Sequence, residues 1–104
     1  EVFLENLPTL YPKIEEFIEI SDVIYLTICM DVFNAAIAPG VSALAYNGIF
    51  ADATFMHLFK LILTSDKLIA MDVAEVNPIY DQNEITARLA ASLINEWFMI
   101  NKSM

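Results

Sequence analysis

The run from Val23 to Met30 (Val-Ile-Tyr-Leu-Thr-Ile-Cys-Met) is apolar and β-favouring, with no alternation of polar and apolar residues. A strand covered on both faces reads this way, and such strands belong to parallel sheets inside α/β domains. A second run, Leu68 to Glu75, reads alike and follows a helical stretch, Ala53 to Leu63. Strand, helix, strand at this length predicts a βαβ unit of two parallel strands. Parallel strands end at the same sheet edge, so Asp31 and Glu75, which close the two runs, are predicted to face one site. Ligands of open α/β sheets lie outside those ends. The plainer alternative is that Asp31 merely starts a turn.

The remaining elements follow from spacing and punctuation. Residues 1 to 9 read as a loose lead-in. Pro12 suits a first helical turn, and Ile14, Phe17 and Ile18 stand at helical spacing against Lys13, Glu15, Glu16 and Glu19, which predicts an amphipathic helix over Tyr11 to Ile20. Ser21-Asp22 turns the chain into the first strand, drawn from Val23 to Asp31. A loop over residues 32 to 50 carries Ala38-Pro39-Gly40 and Asn47-Gly48, two turn signals. Its Asn34, Ser42 and Asn47 flank the expected pocket and receive no role.

Asp52 is placed to cap the helix from Ala53 to Leu63, which is apolar enough to be buried on more than one side. His57, the single histidine, has no Asp or Cys at i+3 or i+4 and reads as an ordinary helix residue. Asn77-Pro78 forces an extended or turn conformation at Asn77. Asp81 or Asn83 then caps a last helix from Glu84 to Met99, with Ile85, Leu89, Leu93, Ile94 and Trp97 inward and Glu84 paired with Arg88. Residues 101 to 104 should fray. Asp72, an odd number of positions before Glu75, should face the opposite side of its strand in a supporting role.

Composition narrows the partners. Hydrophobic residues make up 58% of the 104, above the about 45–50% usual for soluble domains. No apolar run approaches the roughly 18 residues of a membrane span, so the excess points to a buried sheet and helix faces that want a partner. A net charge of −9, with five basic residues spread along the chain, argues against nucleic acid or an anionic membrane. One cysteine makes no internal disulfide, and with no amino-terminal signal pattern the chain reads as cytoplasmic. An exposed Cys29 would leave an intermolecular disulfide open.

The order Thr27-x-Cys29-x-Asp31, then Ala35, Pro39-Gly40 and Gly48, resembles the last metal-binding signature of the ureohydrolase family, which comprises arginases, agmatinases and formimidoylglutamases. Glu75-Val76-Asn77-Pro78 and Thr86-Ala87-Arg88 are similar to two further elements of that family, and Ala38 to Ala43 stands nearest its formimidoylglutamase branch. The resemblance covers about residues 20 to 100. It implies a three-layer α/β/α parallel-sheet fold, of which this chain would be a carboxyl-terminal α-β-α-β-α piece, residues 1–104 forming part of one domain.

The resemblance also implies chemistry: two manganese ions holding a hydroxide that attacks an amidine or guanidinium carbon. On it, Asp31 is a metal ligand, Cys29 stands at the position of another, and Glu75 contacts the substrate's planar cationic nitrogen group. The family has aspartate where this chain has Cys29; thiolate suits zinc better than manganese, and the bland account of Cys29 is a buried small hydrophobe. The implied activity is hydrolysis of N-formimidoyl-L-glutamate to glutamate and formamide in histidine breakdown. Arginase or agmatinase chemistry, and a non-catalytic fragment kept for packing or oligomer contact, are the alternatives. The family's histidine-bearing elements are absent from these residues, so this chain alone is not expected to assemble the two-metal site. An exposed strand edge would favour self-association.

Overall fold

The structure, a computed structural model, describes residues 9–102; most of the expected lead-in and the last two residues lie outside that range. The element order is α1 (Leu10–Ile20), β1 (Ile24–Cys29), a 3-10 turn (Met30–Val32), α2 (Ala53–Leu63), β2 (Leu68–Ala74) and α3 (Ile85–Lys102). β1 and β2 are neighbours in a two-stranded parallel sheet. The predicted α-β-α-β-α order is therefore present. Backbone contacts gather the described residues into two compact units, those up to 26 with 51–71 and 27–50 with those from 72 onward.

The first unit is held by apolar packing and closed by caps. α1 ends where the Ser21 hydroxyl donates to the Phe17 carbonyl at 2.6 Å. The Lys67 ammonium donates to the carbonyls of Ile18 (2.7 Å) and Glu19 (2.9 Å), placing a cation on the negative end of the helix. α2 starts as predicted, with Asp52 Oδ1 accepting the Phe55 N–H at 3.1 Å. It ends at Thr64, whose hydroxyl donates to the Lys60 carbonyl. Leu58, Phe59 and Leu63 are buried, whereas Phe55, Met56, Leu61 and Ile62 are half-buried. α2 thus buries one wide face rather than being enclosed on several sides.

Two expectations about the first strand need correction. It ends at Cys29, not Asp31, because the chain enters the 3-10 turn at Met30. Nor is it covered on both faces. Ile24 and Ile28 are buried while Tyr25, Thr27 and Cys29 are exposed, and on β2 Ile69 is 63% exposed. The apolar sequence suits a two-sided cover, and the described residues supply a layer for one side only.

The second unit is a hydrogen-bonded weave of loops on a small core of Ile28, Met30, Phe33, Ala38, Val41, Ile49, Ala90 and Leu93. Phe33 bridges to Ile49 and Asn34 to Ala45 in parallel register. Asn34, unassigned from sequence, ties the loop to itself. Its amide donates to the Tyr46 carbonyl at 3.0 Å, and its Oδ1 accepts the Ala36 N–H at 2.9 Å. Gly48 lies against backbone: a Cβ there would stand 2.6 to 2.7 Å from Phe33 C, Asn34 N and Val32 O. That glycine is required by close approach alone, since its φ is not in the left-handed region.

α3 departs from its predicted face. Thr86, Ala90 and Leu93 are buried and Leu89 and Trp97 half-buried, but Ile85 and Ile94 are exposed. The buried Thr86 hydroxyl, which accepts the Gly40 N–H, sets the rotation of the helix at its first turn. The carboxyl end also holds longer than expected, with the Asn101 amide donating to the Trp97 carbonyl and helix through Lys102. Arg88 and Glu84 pair at 3.7 Å on the exposed side, as the spacing predicts.

Candidate functional site

Parallel pairing puts the carboxyl ends of β1 and β2 at one sheet edge, and the three residues singled out by sequence lie at or just beyond those ends. Cys29 is the last residue of β1 and is exposed, which overturns its reading as a buried small hydrophobe. Asp31, in the 3-10 turn two residues on, is half-buried. Glu75, immediately after β2, is exposed.

Glu75 is unusual in its backbone. Its φ is 75°, in the left-handed region. A non-glycine residue there costs about 1–3 kcal/mol and persists only where the surroundings over-determine it. Strand alternation therefore does not set Asp72 and Glu75 on opposite sides, because β2 stops at Ala74 and position 75 lies outside it.

Beside Glu75 the three sequence elements that looked separate meet. The Asn77 N–H donates to the Gly40 carbonyl at 2.6 Å, and the Asn77 side chain accepts the Ile79 N–H and donates to the Ser42 hydroxyl, both at 3.1 Å. Gly40 in turn donates its N–H to Thr86 Oγ1 at 2.7 Å. Asp81 caps α3, its Oδ1 accepting the N–H groups of Gln82 and Thr86 at 3.0 Å and its Oδ2 that of Ala87 at 3.1 Å. Desolvation pulls the Asp81 carboxyl upward, but the N–H groups of Thr86 and Ala87, the Thr86 hydroxyl and the Gln82 N–H outweigh it and hold the group below its ordinary 3.8. Of this network, the sequence offered Asp81 or Asn83 as the cap, of which the structure uses Asp81, and gave no role to Thr86, whose signal was a threonine where α3 begins.

The resemblance implies a pair of hard divalent ions, which take oxygen and nitrogen donors in sets of about six. Cys29 and Asp31 offer one soft thiol and one carboxylate. Among the described residues no group of three or more His, Cys, Asp or Glu side chains converges on a common point. The donors present do not by themselves make such a centre. His57 is no substitute. It is exposed and stacks on Tyr11 with ring centroids 4.6 Å apart, beside an open cleft of about 650 Å³ in the first unit that contains none of the candidate residues.

The chain is similar to known proteins over most of its length. The model of the arginase family matches residues 2–100. The formimidoylglutamase of Staphylococcus aureus (strain MRSA252) is 47% identical over 90 residues, covering 86% of this chain and 29% of that protein. The chain thus spans under a third of the length of that relative. Among solved structures, the formimidoylglutamase of Bacillus subtilis superposes with a TM-score of 0.84 at 24% identity over 96% of this chain and 32% of its own. A hypothetical agmatinase from Burkholderia thailandensis superposes with a TM-score of 0.75 at 29% identity, over 94% of this chain and 31% of its own. The fold is that of the arginase-like ureohydrolases, and the chain belongs to the arginase family.

Proposed function

We propose that this chain is the carboxyl-terminal part of a single formimidoylglutamase domain, a manganese-dependent enzyme of histidine breakdown that acts in the cytoplasm and hydrolyses N-formimidoyl-L-glutamate to glutamate and formamide. The observation that carries the reading is 47% identity to a formimidoylglutamase across 86% of the chain. The placement of Asp31 and Glu75 after adjacent parallel strands supports it. Glu75 offers the amidinium group a carboxylate that accepts two charge-assisted hydrogen bonds as a fork. Asp31 is a metal ligand in the complete site, and Cys29 stands at a second ligand position, with metal held mainly by donors outside these residues. A small-molecule amidine is the substrate. No described helix is long and apolar enough to cross a membrane, and no basic patch invites nucleic acid. The apolar side chains on the open sheet face, Tyr25 and Ile69, favour oligomer contacts.

Cys29 itself favours a second reading, in which the metal site is lost and the fold serves packing or oligomer contact. Likeness to an agmatinase structure keeps a guanidino substrate as a variant of the first. Metal content and formimidoylglutamate turnover decide between them, measured on the protein at its full natural length and on its Cys29→Asp variant. Manganese bound at two per chain, with turnover in the unaltered protein, sustains the enzyme reading. Metal and turnover in the Cys29→Asp variant alone identify a lost site, and hydrolysis of agmatine or arginine in preference moves the substrate.

A further inference from the structure

Glu75 stands alone among the candidate residues in needing its backbone held. Its left-handed φ of 75° is unfavourable for any residue with a side chain, so something nearby must prevent the peptide from relaxing. Two residues on, Asn77 is the first fixed point: its N–H is tied to Gly40 at 2.6 Å, its side chain to Ser42 and Ile79, and Pro78 restricts it to extended conformations. Gly40 is fixed in its turn. Its N–H ends on the Thr86 hydroxyl, which is wholly buried. A Cβ at position 40 would lie 2.6 Å from Asp81 Cβ and Cγ, so the two segments have no room to slide. The Thr86 hydroxyl accepts from Gly40, and the Thr86 N–H donates to Asp81 Oδ1 at 3.0 Å, so the carboxylate holds the same residue from the other side.

We propose that Thr86, with Asp81 behind it, is a positioning residue that fixes the left-handed backbone of Glu75 through Gly40 and Asn77 and so aims the Glu75 carboxylate. The aim matters to catalysis only on the reading that Glu75 contacts the substrate's cationic group, and the inference rests on that reading to this extent. Thr86 touches no reacting atom. A buried hydroxyl that accepts the Gly40 N–H holds that segment in a fixed direction, which a methyl group of the same size does not.

The test is a double-mutant cycle on the protein at full natural length, reading kcat and KM for formimidoylglutamate together with NMR of selectively labelled Glu75 and Asn77. Thr86→Val keeps the shape and removes the hydroxyl; Thr86→Ser keeps the hydroxyl. The expected result is a loss in kcat/KM on the order of tenfold to a hundredfold for Thr86→Val, with recovery in Thr86→Ser. Glu75→Gln combined with Thr86→Val should be hardly worse than Glu75→Gln alone, because a misaimed carboxylate and a missing one are the same loss. The strong intraresidue HN–Hα cross-peak of a left-handed residue at Glu75, and slow exchange of the Asn77 amide, should vanish in Thr86→Val. Should that variant not fold, Asp81→Asn gives the same readings in weaker form.

Additive losses, or an unaltered Glu75 cross-peak in a folded Thr86→Val protein, overturn the inference. If Glu75→Gln leaves turnover intact while the cross-peak still depends on Thr86, the backbone coupling stands and the substrate contact falls.

Discussion

The two units of the chain are stabilised by different means. The first buries Ile24, Leu58, Phe59 and Leu63 and closes its helices with ordinary caps. The second spends its length on loops tied by backbone and side-chain hydrogen bonds, with two glycines that admit no Cβ and three non-glycine residues, Glu75, Asn83 and Glu84, at positive φ. Local propensity and tertiary structure agree in the first unit and conflict in the second. Conflicts of that kind are expected where a fold serves a site, since they persist only when something else holds them. Every candidate residue lies in the second unit.

Substitutions that add or remove atoms should separate the two most sharply. The largest effect is expected for Gly48→Ala, whose Cβ would meet three backbone atoms at 2.6 to 2.7 Å. Backbone cannot swing aside as a side chain can, so the loss should exceed about 4 kcal/mol, in the range that marks a named structural fault. Urea unfolding measures it, and a loss below about 1 kcal/mol would show that the loop has slack. The first unit should respond to cavities instead. Leu63→Ala removes a side chain that is only 2% exposed and should cost about 3 kcal/mol, read by the same transition. Asp52→Ala, which leaves the Phe55 N–H uncapped, should cost about 1 kcal/mol and serves as the small local control.

This division also explains what was legible in the sequence. Ala53–Leu63 was read to the residue, because Asp52 is a strong cap and the apolar period is long. The parallel strands, and the sheet edge shared by Asp31 and Glu75, came from run length and topology. What stayed hidden was long-range and polar: the Thr86 hydroxyl meeting Gly40 across 46 positions, the left-handed turn at Glu75, and Asn77 bonded to Gly40. Periodicity carries no signal for such contacts. It also misled on α3, where an apolar stripe through Ile85 and Ile94 lost to a face set by one buried hydroxyl. The strand burial was misjudged for another reason, since the sequence is apolar enough for two covering layers and the described residues provide one.

The smallest expected effect distinguishes the units by pH. Asp81 accepts hydrogen bonds from three N–H groups and the Thr86 hydroxyl, which hold its carboxyl below the ordinary 3.8 in the folded chain. In the unfolded chain those bonds are gone and the group returns to its ordinary value. Above that value both states are ionised and the contribution to stability is complete. As the pH falls through it, the unfolded chain takes up the proton first, so stability is lost progressively until the folded chain is protonated too, below which no more is lost. The folded value is the lower one, so the loss falls on the acid side of 3.8. Urea midpoints from about pH 6 to about pH 2 should therefore drop less steeply at the acid end in Asp81→Asn than in the unaltered chain. Leu63→Ala should shift the whole curve by a constant. If Asp81→Asn also gives only a constant offset, the cap is geometric and its charge contributes nothing to holding the second unit.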